Sequence, residues 1–512
     1  MTASGFTRPA ATPRVIGSLL DRIGQHRLVG DPTTIITEIT FDSRDVRPGN
    51  LFVALRGGDA DGHDYIGAAI GGGASAVLLD RDQDLPVPRV VVPDARAALS
   101  PLAAEFFGHP SRALTVVGIT GTDGKTTTAH LVDGLLRDLG VSTGLIGTVA
   151  VRIGDDLDLH ASRQTTPESV ETQRYLWRMV RAGVGVATVE ATSHGLALHR
   201  LDDVAFTVGA VTNVTSEHLD HHGTVAAYRA AKARLFDRVG ATGGHAVINL
   251  DDEGARAMRP AAAGARTITY ARTDPGADLR AVAIEMTASG STLDIVFHDQ
   301  HAPARLPLVG GFNIDNALCA VGTCLALGHP LAQIAASLER TEPVPGRLAR
   351  VALGQPFDVI VDYAHTPESL AKILGLLRGL NPAGRLITVF GSAGERDVTK
   401  RPVQGAISAR LADITVVTSE DPRHEDPDAI IRQIAAGAEA AGAIAGESMF
   451  SIADRMEAVV FAIGLARPGD TVLLAGKGHE GSIIVGTTKH PWDERGAAEA
   501  ALVRAGWPGQ DA

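Results

Sequence analysis

Cysteine is nearly missing from this chain: Cys319 and Cys324 are the only two in 512 residues. They stand five apart in one apolar helical stretch, on different helix faces, and no CxxC pair exists. That excludes a disulfide-stapled scaffold. The two read as small buried apolar residues in a reducing compartment. Aromatic residues are scarce too, at 4%, against 45% hydrophobic residues overall. This balance describes an ordinary Ala/Gly/Val-rich α/β protein, long enough for about three domains with a core each. Positive charge is in deficit. The formal net charge of −12 leaves no chain-wide basic footprint for nucleic acid, so any phosphate site must gather its cations locally. No run approaches the roughly 20 apolar residues of a membrane span. Met1 to Arg14 lacks the apolar core of a secretory signal, and a cytoplasmic location is expected. Repeats, low-complexity tracts and coiled-coil heptads are also missing.

What is present is a phosphate cradle. Gly118-Ile119-Thr120-Gly121-Thr122-Asp123-Gly124-Lys125-Thr126-Thr127-Thr128 joins an apolar run, Leu114 to Ile119, to a helical pattern, Ala129 to Leu139. Strand, glycine-rich turn and helix in that order bring backbone N–H groups to phosphate oxygens. The helix N-terminus adds positive partial charge. Lys125 supplies a point charge, and the Thr126 hydroxyl suits Mg²⁺. The general P-loop pattern wants glycine where Ile119 stands, and the nearest glycines are Gly118 and Gly121. The order of elements still points to ATP.

Segments of alternating strand and helix pattern flank and contain this loop. Residues 1–14 read as a loose arm, and 35–112 as a small α/β segment with Leu51–Leu55 and Ala76–Leu79 as strands. Pro110-Ser111-Arg112 then breaks the chain. From 113 to 345, Val184–Val189, Phe206–Val211 and Ala246–Leu250 read as strands and Asn313–Leu327 as a helix. The alternation predicts a mostly parallel sheet with helices on both faces. Glu342-Pro343-Val344-Pro345-Gly346-Arg347 reads as a hinge. Beyond it, Val359–Val361, Leu386–Phe390, Ile414–Val417 and Val472–Leu474 read as the strands of another α/β domain, and Pro508–Ala512 as a frayed end.

Polar residues cluster after the strands, where open α/β sheets collect ligands. Glu190-Ala191-Thr192-Ser193-His194-Gly195 follows one strand. Thr212-Asn213 and then Ser216-Glu217-His218-Leu219-Asp220-His221-His222 follow the next. Glu190 and His218 are placed to face Lys125 and Thr126, a carboxylate and an imidazole suited to Mg²⁺. His221 and His222 receive no role, because no companion cysteine or HExxH pattern supports zinc. By spacing alone Lys232 is a solvated helical lysine. In the last domain, the loops Gly391–Asp397, Thr418–Arg423 and Gly476–Glu480 could hold a ligand bearing both carboxylate and ammonium, with arginine forks for the former and Glu480 or Asp421 for the latter.

These residues together resemble the Mur ligases, most closely the MurE type, over about Asp42 to Ala500. The resemblance is carried by Asp42-Ser43-Arg44, Pro48–Ala54, GTDGKTTT, QTTP at Gln164–Pro167, EATSHGL, EHLDHHGT, AKARLF, GxFNxxN at Gly310–Asn316, PGR at Pro345–Arg347, DYAHTP at Asp362–Pro367, GERDxxKRP at Gly394–Pro402, EDPR and GKGHE. It implies three α/β domains. Residues 1–112 form a small UDP-binding domain. Residues 113–345 form a central P-loop-type domain that binds ATP, and 346–512 a Rossmann-like domain for the incoming amino acid. The implied activity is ATP-dependent addition of the third amino acid to UDP-N-acetylmuramoyl-L-alanyl-D-glutamate through an acyl phosphate, in peptidoglycan synthesis, by a monomer.

The resemblance also implies residue roles. Ser43 and the Gly58-Asp59-Ala60 loop lie near UDP. Gln164, Thr165, Thr166, Thr192 and Arg200 hold the muramoyl dipeptide. Gly121, Thr122, Asp123, Gly124, Lys125, Thr126, Thr127, Asn316, Arg347 and Asp362 contact ATP. Thr126, Glu190, His218 and a carbamylated Lys232 serve Mg²⁺, which reverses the reading of Lys232 by spacing. Lys125, Lys232, His218 and Glu190 are the catalytic set. Arg396, Glu420, Asp421, Pro422, Arg423, Gly476 and Glu480 line the amino-acid pocket. One departure concerns substrate choice: relatives using meso-diaminopimelate commonly carry Asp-Asn-Pro-Arg where this chain has Glu420-Asp421-Pro422-Arg423. Retained Arg423 and Glu480 favour meso-diaminopimelate, and the added charge of Asp421 favours L-lysine or L-ornithine. A P-loop NTPase without ligase activity is the remoter alternative.

Overall fold

The computed structural model describes residues 11–57, 60–159, 164–215, 219–287 and 289–507. Three mostly parallel sheets organise them. In the first, the strands run in the order 27–29, 89–91, 76–79, 50–53, 38–40. The last four strands in that order are mutually parallel, and Arg27–Val29 is antiparallel. Ser43 and Ala60 follow the carboxyl ends of the neighbouring strands Glu38–Thr40 and Asn50–Val53. The Asp42 carboxylate accepts from Arg44 N–H and that of Asp61 from His63 N–H, which fixes both turns.

The central sheet has eleven strands in the order 156–159, 150–153, 143–146, 186–190, 115–120, 208–211, 245–249, 266–271, 279–287, 290–297, 300–306. Thr115–Thr120 sits in the middle, parallel to Val186–Glu190 on one side and Val208–Val211 on the other. Buried on both faces, these three read as near-continuous apolar runs, as central parallel strands should. Their carboxyl ends lie side by side, and the phosphate loop, Glu190 and Thr212-Asn213 leave from them. The third sheet runs 349–351, 358–362, 471–475, 386–390, 414–417, 449–451. All but the first strand are parallel. Four loops, at 363–366, 476–481, 391–399 and 418–425, therefore leave one edge of that sheet.

The chain divides into two compact units, 1–285 with 292–306 and 311–341, and 286–291 with 307–310 and 342–512. Several expected bounds move. The helix after the phosphate loop spans Lys125–Asp138 and so starts ahead of its apolar pattern, because threonines fill its first turn. The arm is not wholly loose: Arg14–Val15 pairs with Ile35–Ile36, and Ala11 is buried. Residues 1–10 of the arm and the Pro508–Ala512 end lie outside the described residues. Pro110–Ala113 is a 3-10 turn. The strands 150–153 and 156–159, and the three from 279 to 306, were not anticipated. They lie toward the two ends of the sheet, where mixed exposure breaks the apolar runs. Cys319 and Cys324 are both buried free thiols in the helix Gly311–Ala326, and burial pushes each up to about 12. Among the described residues no helix is long and apolar enough to cross a membrane.

Candidate active site

Gly121 and Gly124 set the phosphate loop, with φ of 153° and 82°. A Cβ on Gly121 would collide with Thr212 Oγ1, and one on Gly124 with Asn316 Oδ1. Only glycine fits where neighbouring side chains crowd a left-handed turn. Asn213 secures the loop from outside: its carbonyl accepts from Thr122 N–H at 2.7 Å and its Oδ1 from Asp123 N–H at 3.0 Å. The helix Lys125–Asp138 starts at Gly124 with no side-chain cap. Its first N–H groups are thus left for an anion. Thr127 is buried in the same turn. Lys125 Nζ folds back onto the loop and donates to the carbonyls of Gly121 at 2.9 Å and Thr122 at 2.7 Å. Asn316 stands against the loop, with Thr128 Oγ1 donating to its Oδ1 at 3.4 Å and its own Nδ2 bonded to Asn313. Gly124→Ala should therefore weaken ATP binding by about tenfold or more, the equivalent of about 1.4 kcal/mol. Titration with a fluorescent ATP analogue checks this, and unchanged affinity would show the crowding to be harmless.

Glu190 ends its strand fully buried. Its Oε2 accepts from Thr126 Oγ1 at 2.9 Å and Thr148 Oγ1 at 3.0 Å, and its Oε1 from Thr148 N–H at 2.9 Å. Lys232, on the helix Val225–Ala241, is 1% exposed rather than solvated. Its Nζ donates to Gly121 O at 2.6 Å and lies 4.6 Å from the centre of the Tyr228 ring, whose hydroxyl meets Thr122 Oγ1 at 3.0 Å. Two lysines thus converge on one loop carbonyl. His218 lies outside the described residues, as do Gly58 and Asp59.

The QTTP loop meets the same carboxylate. Thr165 Oγ1 is 3.0 Å from Thr148 Oγ1, and Thr166 Oγ1 donates to Glu190 O at 2.6 Å and lies 2.9 Å from Thr192 Oγ1. Thr192 caps the short helix Ser193–Ala197. Arg200 Nη1 donates to Thr166 O at 3.0 Å, and its Nη2 pairs with Glu168 at 2.9 Å. Burial lowers the Arg200 pKa from its ordinary value, with Glu168 working against that. Gln164 precedes this cluster in the loop. On the first sheet, Ser43 is half-buried, and Ala60 closes a turn by accepting from Gly57 N–H at 2.8 Å.

The C-terminal unit gathers its own polar set. Asp362 is buried, accepting from Leu348 N–H and Ala364 N–H, each at 2.8 Å. Burial pushes its carboxyl above the usual range, while Arg347 pulls the other way. The Arg347 guanidinium lies 4.7 Å from the Tyr363 ring centre. Lys477 Nζ, fully buried, donates to Asp421 Oδ1 at 2.9 Å and Glu480 Oε2 at 2.6 Å. Burial opposes that ammonium, yet the two carboxylates outweigh it and raise its pKa. Tyr363 OH donates to the other oxygen of Glu480 at 3.2 Å. Burial pushes the Glu420 carboxyl up, and Gly476 leaves room for it: a Cβ there would press on Glu420 Oε2. Glu420 Oε2, Ser392 Oγ and Arg423 Nε are buried without a hydrogen-bond partner among the described residues. Three such orphans between two loops point to a polar ligand. Pro422 packs under Gly394, while Arg396 is exposed on its loop.

Three domain models match the chain in order: "Mur ligase family, catalytic domain" over 35–107, "Mur ligase middle domain" over 119–324, and "Mur ligase, glutamate ligase domain" over 346–478. A UDP-N-acetylmuramyl-tripeptide synthetase of Roseiflexus sp. (strain RS-1) is 48% identical over 489 residues, 93% of this chain and 96% of that protein. The chain belongs to the Mur ligase family. A UDP-N-acetylmuramoyl-L-alanyl-D-glutamate--2,6-diaminopimelate ligase of Bacillus velezensis is 40% identical over 473 residues, 91% of this chain and 94% of that one. A solved structure of a ligase of the same name aligns at TM-score 0.64 and 30% identity, over 92% of this chain and 95% of the other. The resemblance to the MurE type, the three-domain fold and ATP-dependent ligase activity are thereby shown.

For a Mur ligase, the donors around Glu190 can be tested against magnesium. Among the described residues no group of three or more His, Cys, Asp or Glu side chains is placed to hold a metal. Instead one buried carboxylate stands beside one loop hydroxyl, an all-oxygen set. Mg²⁺ suits such a set, since it takes one or two carboxylates and completes its shell from phosphate and water. The residues fit. The motifs did not single out Thr148, which holds Glu190 from behind, or Lys477, which neutralises two carboxylates of the amino-acid loops. A threonine after glycine carries no signal, and a lysine amid glycines reads as exposed.

Proposed function

We propose that this Mur ligase adds a diamino acid, meso-diaminopimelate, to UDP-N-acetylmuramoyl-L-alanyl-D-glutamate in peptidoglycan synthesis. Residues 1–112 bind the uridine nucleotide, 113–345 activate the acid and 346–512 bind the amine donor. One observation carries the reading. Glu190 is shared between the phosphate loop, through Thr126, and the QTTP loop, through Thr148 and Thr166. A triphosphate and a peptide acid held by those two loops would meet at one buried carboxylate.

The acid must be activated first, because a carboxylate is a poor acyl donor. Its oxygen attacks the γ-phosphorus of ATP, the bond to the β-phosphate oxygen breaks, and an acyl phosphate and ADP result. Lys125, released from the loop carbonyls, and the N–H groups at the helix start offset the charge spread over the phosphoryl oxygens. Mg²⁺, held through Thr126 and Glu190 with His218 and carbamylated Lys232 completing the set, supplies further neutralisation when bound. Thr165, Thr166, Thr192 and Arg200 hold the peptide, Ser43 and the loop ending at Ala60 the UDP. Asn316, Arg347 and Asp362 complete the ATP site. The free amine then attacks the acyl carbon, phosphate leaves, and the ammonium proton goes to solvent. ATP consumption and a UDP-linked substrate fit a cytoplasmic monomer.

The choice of diamino acid turns on Asp421. Its added charge is answered within the protein, by Lys477 Nζ at 2.9 Å and Ile484 N–H at 2.9 Å on the same oxygen. It therefore offers little uncompensated charge to a side-chain amine. Arg423, with a buried unpartnered Nε, remains for a distal carboxylate, which meso-diaminopimelate has and L-lysine lacks. Incubating the protein with Mg-ATP, the UDP-muramoyl dipeptide and each diamino acid separately tests this. Tripeptide should form with meso-diaminopimelate at a kcat/KM at least about tenfold above L-lysine or L-ornithine. Preference for either of the latter would refute the substrate choice, and no product with any would refute the ligase reading. Arg423→Ala should raise the KM for the diamino acid by about 30-fold, the loss of a charge-assisted contact of about 2 kcal/mol, and leave that for ATP within about twofold. Equal losses would move Arg423 to another role.

A further inference from the structure

We infer that Arg455 is a positioning residue for the amine-donor pocket, acting with Glu494 as a buried tie between its loops; the inference rests on the reading proposed for the C-terminal unit. Arg455 opens the helix Arg455–Leu465 and Glu494 opens Glu494–Arg504, elements outside every motif of the pocket. Their side chains are 1% and 0% exposed. Arg455 Nε donates to Glu494 Oε2 at 2.9 Å and Nη2 to Oε1 at 2.7 Å, a two-pronged pair. The remaining donors go to two backbone carbonyls, Nη1 to Ser419 O at 3.3 Å and Nη2 to Ala475 O at 2.8 Å. Those carbonyls stand immediately before Glu420 and Gly476. One guanidinium thus grips the stems of both loops beneath the residues proposed to meet the amino acid.

The tie extends through Glu494. Trp492 Nε1 donates to Glu494 Oε2 at 2.6 Å. Trp492 directly follows the hairpin formed by Ser482–Val485 and Thr488–Pro491. That hairpin in turn clasps the pocket: Ile484 N–H donates to Asp421 Oδ1, and Arg423 N–H to Ile484 O at 3.0 Å. The Glu420–Arg423 loop, the Gly476–Glu480 loop and the hairpin therefore share one buried anchor. Stability alone is a weak reason to bury such a pair, since apolar replacement of both partners is often neutral or stabilising. Aligning two strand ends that carry opposite sides of a pocket is a geometric task that a fork of five donors performs and an apolar pair does not.

The test separates geometry from stability. In the full chain, Arg455→Met with Glu494→Leu should keep a melting temperature within a few degrees of the parent. KM for the diamino acid should rise at least about tenfold, with KM for ATP and for the UDP-muramoyl dipeptide within about twofold. Glu494→Gln, which keeps shape and removes charge, should raise the same KM about threefold and serves if the double variant does not fold. Arg455→Lys, restoring charge without the fork, should not recover the parent value. A folded variant with unchanged amino-acid KM, or equal losses for all three substrates, overturns the inference. Failure of the parent to make any tripeptide instead overturns the proposed function.

Discussion

Glu190→Gln is expected to lower ligation on the order of a hundredfold to a thousandfold while leaving the fold intact. Glutamine has the same shape, and the neighbouring hydroxyls of Thr126 and Thr148 can turn to accept from its amide as readily as they donate to the carboxylate. The hydrogen bonds that hold residue 190 are therefore kept, and only the charge is removed. Losing a fully buried anion costs the empty protein nothing; it removes a desolvation penalty, so the melting temperature should stay level or rise. With ATP and peptide bound the sign reverses, because the carboxylate is the charge proposed to hold Mg²⁺ beside the phosphates. Turnover should collapse, and the Mg²⁺ concentration giving half-maximal rate should climb. Phosphate release followed over a magnesium titration, beside a thermal melt, reads both effects. A rate within about threefold of the parent would take Glu190 out of the magnesium account.

The sheets and the phosphate loop were legible because central parallel strands are continuous apolar runs and their polar residues can only collect at the ends. Leu386–Phe390 and Ile414–Val417 coincide with their observed strands for that reason. The strands 150–153 and 156–159, and those from 279 to 306, were not legible, since strands toward the ends of a sheet lose one apolar face. Of the site, Gly121, Gly124, Lys125 and Thr126 could be placed from local order alone. Lys232 could not: along its helix it alternates with alanine and arginine like any surface lysine, and only the third dimension brings it to Gly121. Arg455 and Glu494 were invisible for the same reason. Each is a charged residue at a helix start, where sequence favours a solvated end, and their pairing spans 39 residues.

Lys232→Ala should reduce ligation by at least about a thousandfold, the scale seen when a charge on a transferring phosphoryl group is lost. The lysine has no room to act from solvent: it is 1% exposed and tied to Gly121 O at 2.6 Å. As an ammonium it would duplicate Lys125, which already contacts the same carbonyl at 2.9 Å. Two cations on one loop oxygen make little sense as separate phosphate ligands. A carbamate does, because addition of CO₂ to the neutral Nζ, with loss of a proton, converts the second lysine into an anion able to serve magnesium beside Glu190. Lys232→Arg discriminates. It preserves positive charge and cannot form the lysine carbamate, so it should be as inactive as the alanine variant, and added bicarbonate should restore neither. The parent, equilibrated with ¹³C-bicarbonate, should show a carbamate carbon signal that both variants lack. Near-parental activity in Lys232→Arg would mean that the cation suffices and the carbamate plays no part; near-parental activity in Lys232→Ala would remove the residue from catalysis altogether.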